Sequence, residues 1–410
     1  MNTRIITAII IAFTLMQLLI ILVFDYTPYP DSEGYLFLAN EALSKGEPYP
    51  VTSLLSEYPF LWNAGAINAV YLSLKITGSI IPLLIIYSLM KGATAWLLFA
   101  IARTTTDQRT AFIALLLYVL YPANYGESTS LLSELPFLFF SLLGIYLSIC
   151  KQQHVAGSIA IAIGNWIRPM GIIFLIALII YHLLKRKPTV KLLAGYILTL
   201  CFIGTLTYQR TGLFLYQSKT GWMALMQYSW DNHHSIDSDN PNLVSENTQW
   251  NVSQKDSVWQ AMFIDWLKEN PKQYIAQMPR KLVNTYVSDN VNFCAFLPNK
   301  TNSEYLYEPL SMASIIHDFP RYTGVQILTI INLVIYYIIL ITSILSLRNF
   351  TKRSHLFPVA IILLGTFLLL LVGHGEARFH QPFMPFFILL SALFWRNKKT
   401  FLSLAPASFR

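Results

Sequence analysis

Charge is scarce in this chain. Asp, Glu, Lys and Arg make up 12% of the 410 residues, while hydrophobic types make up 54% and the mean hydropathy is +0.48. So apolar a composition excludes an ordinary soluble globule and predicts an integral membrane protein. Cysteine is almost absent as well. Cys150, Cys201 and Cys294 are dispersed, and they offer neither a disulfide framework nor a metal-ligand spacing. No internal repeat and no low-complexity tract interrupts the pattern. No small-residue cleavage site follows the first apolar segment, so that segment is expected to be a retained anchor. The net charge of +8 is not a nucleic-acid footprint, because the basic residues lie in short clusters between apolar runs, as membrane orientation requires.

What is present is a series of apolar runs near 5–24, 80–102, 109–122, 131–150, 155–168, 170–184, 190–208, 326–347, 355–373 and 381–395. They predict an all-α polytopic membrane protein, a bundle of about ten transmembrane helices. With ten spans, Arg4, Arg103 with Arg109, Lys151, Lys185 to Lys187 with Lys191, Arg348 with Lys352 and Arg353, and Arg396 with Lys398 and Lys399 all share one side, with both termini. The apolar stretch 58–78 would break that agreement as a further span. It is expected instead as an amphipathic helix in the outer interface. Three parts follow: an N-terminal module over 1–208 with an acidic first outer loop (25–79), an outer loop subdomain over 209–325, and C-terminal helices over 326–410. Within the subdomain, the segment 265–286 spaces Trp266, Tyr274, Met278 and Leu282 among Lys268, Lys272, Arg280 and Lys281, a pattern predicting a basic helix on the membrane surface.

This orientation puts the polar features on the outer side. Asp31 and Glu33, in FDYTPYPDSEGYLFLAN, follow the first span directly. Carboxylates at such a boundary meet water on one side and an apolar wall on the other, which suits general-base or cation-binding work. Ionisable residues within or at the lip of spans are costly and so are site candidates. Lys91 lies near the middle of the second span, able to snorkel or to neutralise an anion. Arg168 in GNWIRPMGII marks a break between two short helices, where its guanidinium suits a phosphate or carboxylate or pairs with Glu127 or Glu134. Glu134 opens the fourth span. His374, Glu376, Arg378 and His380 crowd one turn in HGEARFHQP, without the H-E-x-x-H metal spacing. His233 and His234 near Asp231 and Asp237, and the sequons at Asn251, Asn299 and Asn349, are weaker signals.

Taken in order, these pieces resemble the polytopic GT-C glycosyltransferases that use polyprenyl-phosphate sugars, similar to protein O-mannosyltransferases and bacterial lipid A aminoarabinose transferases. The resemblance is carried by Asp31-Ser-Glu33 with Tyr35, EYPFLWN, the stretch from Tyr121 to Glu127, SELPF around Glu134, IRPMG around Arg168, ENPKQY and ARFHQPFMP. The chain departs from those relatives in being short and in having Asp-x-Glu where O-mannosyltransferases usually show adjacent acids.

The resemblance implies a sugar moved, with inversion, from a polyprenyl-phosphate donor to a glycolipid, glycan or protein acceptor on the outer, periplasmic face of a bacterial inner membrane. Lys91, Arg168 and Arg378 are then expected to bind the donor phosphate, and Asp31 to act as base toward an oxocarbenium-like transition state. Glu33 and Glu134 would assist or hold a divalent cation, as in some relatives, and Tyr35, Glu376 and His380 would contact substrate. Two other classes remain open on the residues alone. A flippase or transporter of lipid-linked sugars would show ionisable residues on a path to both faces and often repeated halves. An O-antigen-type polymerase would lean on arginine-rich outer loops.

Overall fold

The computed structural model describes residues 3–228, 242–296, 324–349, 353–373 and 375–403. His233, His234, Asp231, Asp237, Asn299 and His374 lie outside them. The fold is all-α: among the described residues the nearest approach to a sheet is one isolated bridge between Leu61 and Lys219. Every one of the ten expected apolar runs falls on helix. In chain order these are α1 (Thr3–Phe24), α4 (Ile81–Thr105), α5 (Gln108–Leu120), α6 (Glu134–Ile145, continued by a π-turn to Cys150), α7 (His154–Ile167), α8 (Gly171–Leu184), α9 (Val190–Thr211), α15 (Gly324–Ser346), α16 (Arg353–Val372) and α17 (Met384–Ser403).

Four helices, α1, α4, α9 and the Ile327–Ser346 part of α15, are long and apolar enough to cross a membrane. The pair Pro122–Thr129 and Glu134–Cys150, bent by 112°, makes a fifth if counted as one span. Helices α5, α7, α8 and the Leu356–Val372 part of α16 are equally apolar but shorter. Their outward side chains fit a bilayer. Leu22 is 80% exposed, and Leu120, Val190, Leu198 and Phe202 are also largely uncovered, an apolar surface that water tolerates poorly. The chain is a membrane protein. Inside, α1 packs on α4, α4 on α5 and α6, α6 on α7, and α7 on α9, while α17 joins α5 to α15 and α16 packs on α8.

The structure refines two expected segments and breaks a third. The acidic first loop is helical: α2 (Pro30–Lys45) begins with Pro30 in its first turn, carries Asp31 and Glu33 where the helix dipole favours acids, and ends at Gly46. Of 58–78, only α3 (Ala64–Thr77) is helix, with Ile67, Val70 and Tyr71 buried on one face and Leu72 and Ile76 exposed on the other. The predicted basic surface helix is broken into the end of α12 (Val252–Glu269), α13 (Pro271–Ala276) and α14 (Met278–Tyr286). Pro271 and Pro279 each remove a backbone donor and clash with the preceding turn. Tyr274 and Lys281 turn inward and are buried, so these pieces pack against protein.

With α10 (Gly221–Tyr228) and α11 (Asn242–Ser245), those helices form a second apolar cluster around Met223, Met226, Val244, Trp259, Phe263 and Tyr274, apart from the bundle core. Lys255 on α12 clasps it to the 51–61 segment. Its fully buried ammonium donates to the carbonyls of Ser56 (2.8 Å), Tyr58 (2.9 Å) and Ser245 (2.9 Å). Nearby, the Val252 amide donates to the carbonyl of Leu55 at 3.0 Å and the Lys219 amide to that of Leu61 at 2.8 Å. Burial pulls the Lys255 ammonium below its usual range, and the three carbonyls hold its protons in place. Lys255→Met leaves those carbonyls without their donor, so it should lower unfolding free energy by about 2–4 kcal/mol, read as earlier thermal unfolding of the purified protein. Unchanged melting would mean that the clasp is dispensable.

Candidate active site

Arg168 and Arg378 gather the acids. Arg168 sits in extended backbone (φ −149°, ψ 126°) between α7 and α8, as the following proline requires. Its Nη1 lies 3.0 Å from Glu134 Oε1 and donates to Ser133 Oγ at 3.0 Å. Arg378 rides on a 3₁₀ turn, Ala377–Phe383, between α16 and α17. Its Nη2 is 2.7 Å from Asp31 Oδ2, and its Nε is 2.6 Å from Glu376 and 4.0 Å from Glu134. Both guanidiniums lie over the Phe379 ring, at 5.1 and 5.4 Å from its centroid, so one aromatic ring serves two cations. Three carboxylates thus share two guanidiniums. With all five ionised, negative charge is in excess.

Exposure separates their roles. Glu134 is 1% exposed, whereas the Asp31 side chain is 23% exposed and forms the accessible edge. Burial raises the Asp31 pKa, Arg378 lowers it, and Glu134 and Glu376 raise it again, leaving the carboxyl above its ordinary value. One turn along α2, Tyr35 is fully buried and its hydroxyl accepts from Asn63 Nδ2 at 2.6 Å. Asn63 also donates to Ser133 Oγ at 3.2 Å, linking Tyr35 to the Arg168–Glu134 pair. Gly34 makes room for this packing, because a Cβ there would stand 2.3 Å from the ring of Trp62.

Five expected site residues, Asp31, Glu134, Arg168, Arg378 and Glu376, therefore meet, with Tyr35 behind them. Three do not join them. Glu33 is two residues from Asp31 and so on a different face of α2; exposed, it accepts from Tyr26 at 2.8 Å. The two acids cannot jointly hold a cation in this arrangement. Among the described residues, no group of three His, Cys, Asp or Glu side chains closes on a metal site. Lys91 is buried in an ion pair with Glu127 and lies over the Tyr118 ring, so the bundle neutralises it internally. His380 is fully buried between the rings of Tyr286 and Tyr336. Its Nδ1 is 2.6 Å from the Thr285 carbonyl, and burial lowers its pKa. It pins the turn to α14, and the carboxylate in its reach is Asp289, 3.9 Å from its Nε2, not Asp31, Glu134 or Glu376.

Ser133 and Asn63 were not legible as site residues, although Asn63 closes the EYPFLWN stretch and immediately precedes α3. Asp289 was missed too. It accepts from Tyr121 at 2.5 Å and from Gln381 at 3.1 Å, while its backbone carbonyl accepts from Asn332 at 2.7 Å, and it braces the far end of the turn. A second feature lies alongside: an open groove of about 940 Å³ walled mainly by apolar side chains of α3, α7 and α9, among them Ala64, Ile159, Trp166, Leu198 and Phe202. Ala64 adjoins Asn63 in sequence, and Trp166 is two residues from Arg168.

Compared with known proteins, the sequence matches no family model and no curated relative. If the Arg168–Glu134 pair carries the burial of Glu134, Arg168→Met strands a carboxylate. The loss should be about 3–5 kcal/mol of unfolding free energy, as for other buried pairs broken on one side. Adding Glu134→Gln should restore at least half of it. A double variant no more stable than Arg168→Met alone would show that the pair is not coupled.

Proposed function

We propose that this chain is an integral membrane glycosyltransferase of the GT-C type, moving a sugar from a polyprenyl-phosphate donor to an acceptor. In this reading about ten helices cross the membrane, both termini are cytoplasmic, and the Asp31 cluster with the 209–325 segment faces the periplasm of a bacterial cell. The arrangement of basic clusters on one side supports that topology. The observation that carries the chemistry is the accessible Asp31 carboxylate at the edge of an acid-rich, arginine-braced cluster beside a membrane-embedded bundle.

The donor's leaving group is a phosphate that is already a stable anion, so departure needs little general-acid help. The acceptor hydroxyl must lose its proton as the anomeric carbon becomes cationic. Asp31 is the base: its carboxylate is open to an incoming hydroxyl, and Arg378 fixes its orientation from behind. Glu134 and Glu376 supply the surplus negative charge that favours an oxocarbenium-like state over neutral substrate. Arg168 and Arg378, engaged by carboxylates, position the acids. The apolar groove along α3, α7 and α9 has room for several isoprene units of a donor or an acyl chain of an acceptor.

Asp31→Asn keeps size and hydrogen bonding but removes the base. Transfer from a radiolabelled polyprenyl-phosphate sugar in reconstituted membranes should fall about 10²–10⁴-fold, the usual worth of a positioned base. Wild-type kcat/KM should rise with pH through the ionisation of Asp31, with a midpoint above that of an ordinary aspartate because burial raises it. Full activity in the variant would remove Asp31 from the mechanism. Movement of the donor lipid without transfer, or lengthening of a glycan, would point to the flippase or polymerase class instead.

A further inference from the structure

Among the buried basic residues, Lys281 stands apart. Lys91 has Glu127, Lys255 has three carbonyls, and Arg168 and Arg378 have their acids. Lys281 is 4% exposed, and its Nζ has no hydrogen-bond partner among the described residues. The Tyr274 ring lies 5.3 Å from the amine. One turn earlier on the same face, Gln277 is 8% exposed, and both its amide nitrogen and its amide oxygen lack partners. An ammonium and a carboxamide left bare one helical turn apart are costly. Burial pulls the ammonium down to about 8, so it remains mostly charged at neutral pH.

The position matters as much as the vacancy of hydrogen bonds. Helix α14 packs against the turn that carries Arg378. Contact is close at Gly375, whose φ of +78° and lack of a Cβ are both required: a Cβ would stand 2.9 Å from Lys281 Cα. Glu376 and Arg378 follow directly in sequence.

We infer that Lys281 and Gln277 form the subsite for the anionic, hydroxyl-bearing head of the substrate, a glycosyl phosphate. The ammonium and the amide N–H groups call for acceptors, which phosphate oxygens supply; the amide oxygen calls for a donor, which a sugar hydroxyl supplies. This rests on the glycosyl-transfer reading and adds to it a cation not already committed to an acid, a role that Lys91, Arg168 and Arg378 are too fully paired to fill.

The test is equilibrium binding to the full chain in lipid nanodiscs, with a polyprenyl-phosphate hexose, polyprenyl phosphate and inorganic phosphate as probes. The variants are Lys281→Met, Gln277→Leu and, as control, Lys272→Met, an exposed lysine of α13. Wild type and Lys272→Met should bind the lipid-linked hexose alike. Lys281→Met should bind it at least tenfold more weakly while melting no lower than wild type without ligand, because an unpaired buried charge has been removed. Gln277→Leu should lose preference for the hexose compound over bare polyprenyl phosphate. Wild-type affinity in Lys281→Met, or no binding of any phosphate probe to wild type, would overturn the subsite. Lys281→Met that binds and transfers normally leaves the transferase reading intact while sinking this one. Inorganic phosphate held through Lys281, with no binding of the lipid-linked probes, keeps the anion subsite and defeats the donor assignment.

Discussion

Everything near the site depends on the two guanidiniums that hold Asp31, Glu134 and Glu376 in a low-dielectric setting. A carboxylate as buried as Glu134 persists only beside a counter-charge. The partners come from α2, from the start of α6, from the break between α7 and α8, and from the turn before α17. The network therefore exists only when the first, middle and last parts of the chain are docked together. Buried ion networks rarely add net stability over apolar packing of the same volume. Its presence is better accounted for by the geometry it imposes: Asp31 is oriented from behind and left open in front.

The distribution of cations sharpens that point. Lys91 and Glu127 form a neutral pair inside the bundle, and Lys255 spends all three protons on backbone carbonyls. Each cancels a local electrostatic cost and leaves nothing for a ligand. The acid–arginine cluster is different, since three carboxylates face two guanidiniums and the balance is negative. A site of that sign repels a phosphate and favours a developing cation. For the proposed transfer it suits the sugar ring, and the phosphate must be met elsewhere.

The helices were legible because the apolar runs are continuous and a basic cluster or a proline punctuates them; Arg168-Pro169 is one such break, and it lies where the sequence places it. The Arg168–Glu134 contact was legible as one of the pairings open to Arg168, whereas its meeting with Asp31 and Arg378 was legible only as an expected shared side, not as contacts. What could not be read was direction. Asp31 and Glu33 look like a pair in the sequence, but α2 turns them onto different faces. Lys281 reads as one more lysine of an amphipathic segment until Pro271 and Pro279 break that segment and set α14 against the turn Ala377–Phe383. Local periodicity cannot reveal that Lys255 reaches Ser56 across 199 residues.

A glycosyl phosphate makes opposite demands at its two ends: negative surroundings for the anomeric carbon as it becomes cationic, positive surroundings for the departing phosphate. One site of mixed, internally paired charge would serve neither end well, because each cation would cancel the acid beside it. The 375–378 turn offers a way to keep the demands separate at close quarters. Its Arg378 and Glu376 belong to the acid cluster, while its Gly375 lies against the backbone of Lys281, whose amine has no hydrogen-bond partner among the described residues. The 3₁₀ turn that follows is pinned by His380 to Thr285 and by Gln381 to Asp289, which ties the two environments to one another. Such preorganisation lets opposite charges act on one substrate without first neutralising each other.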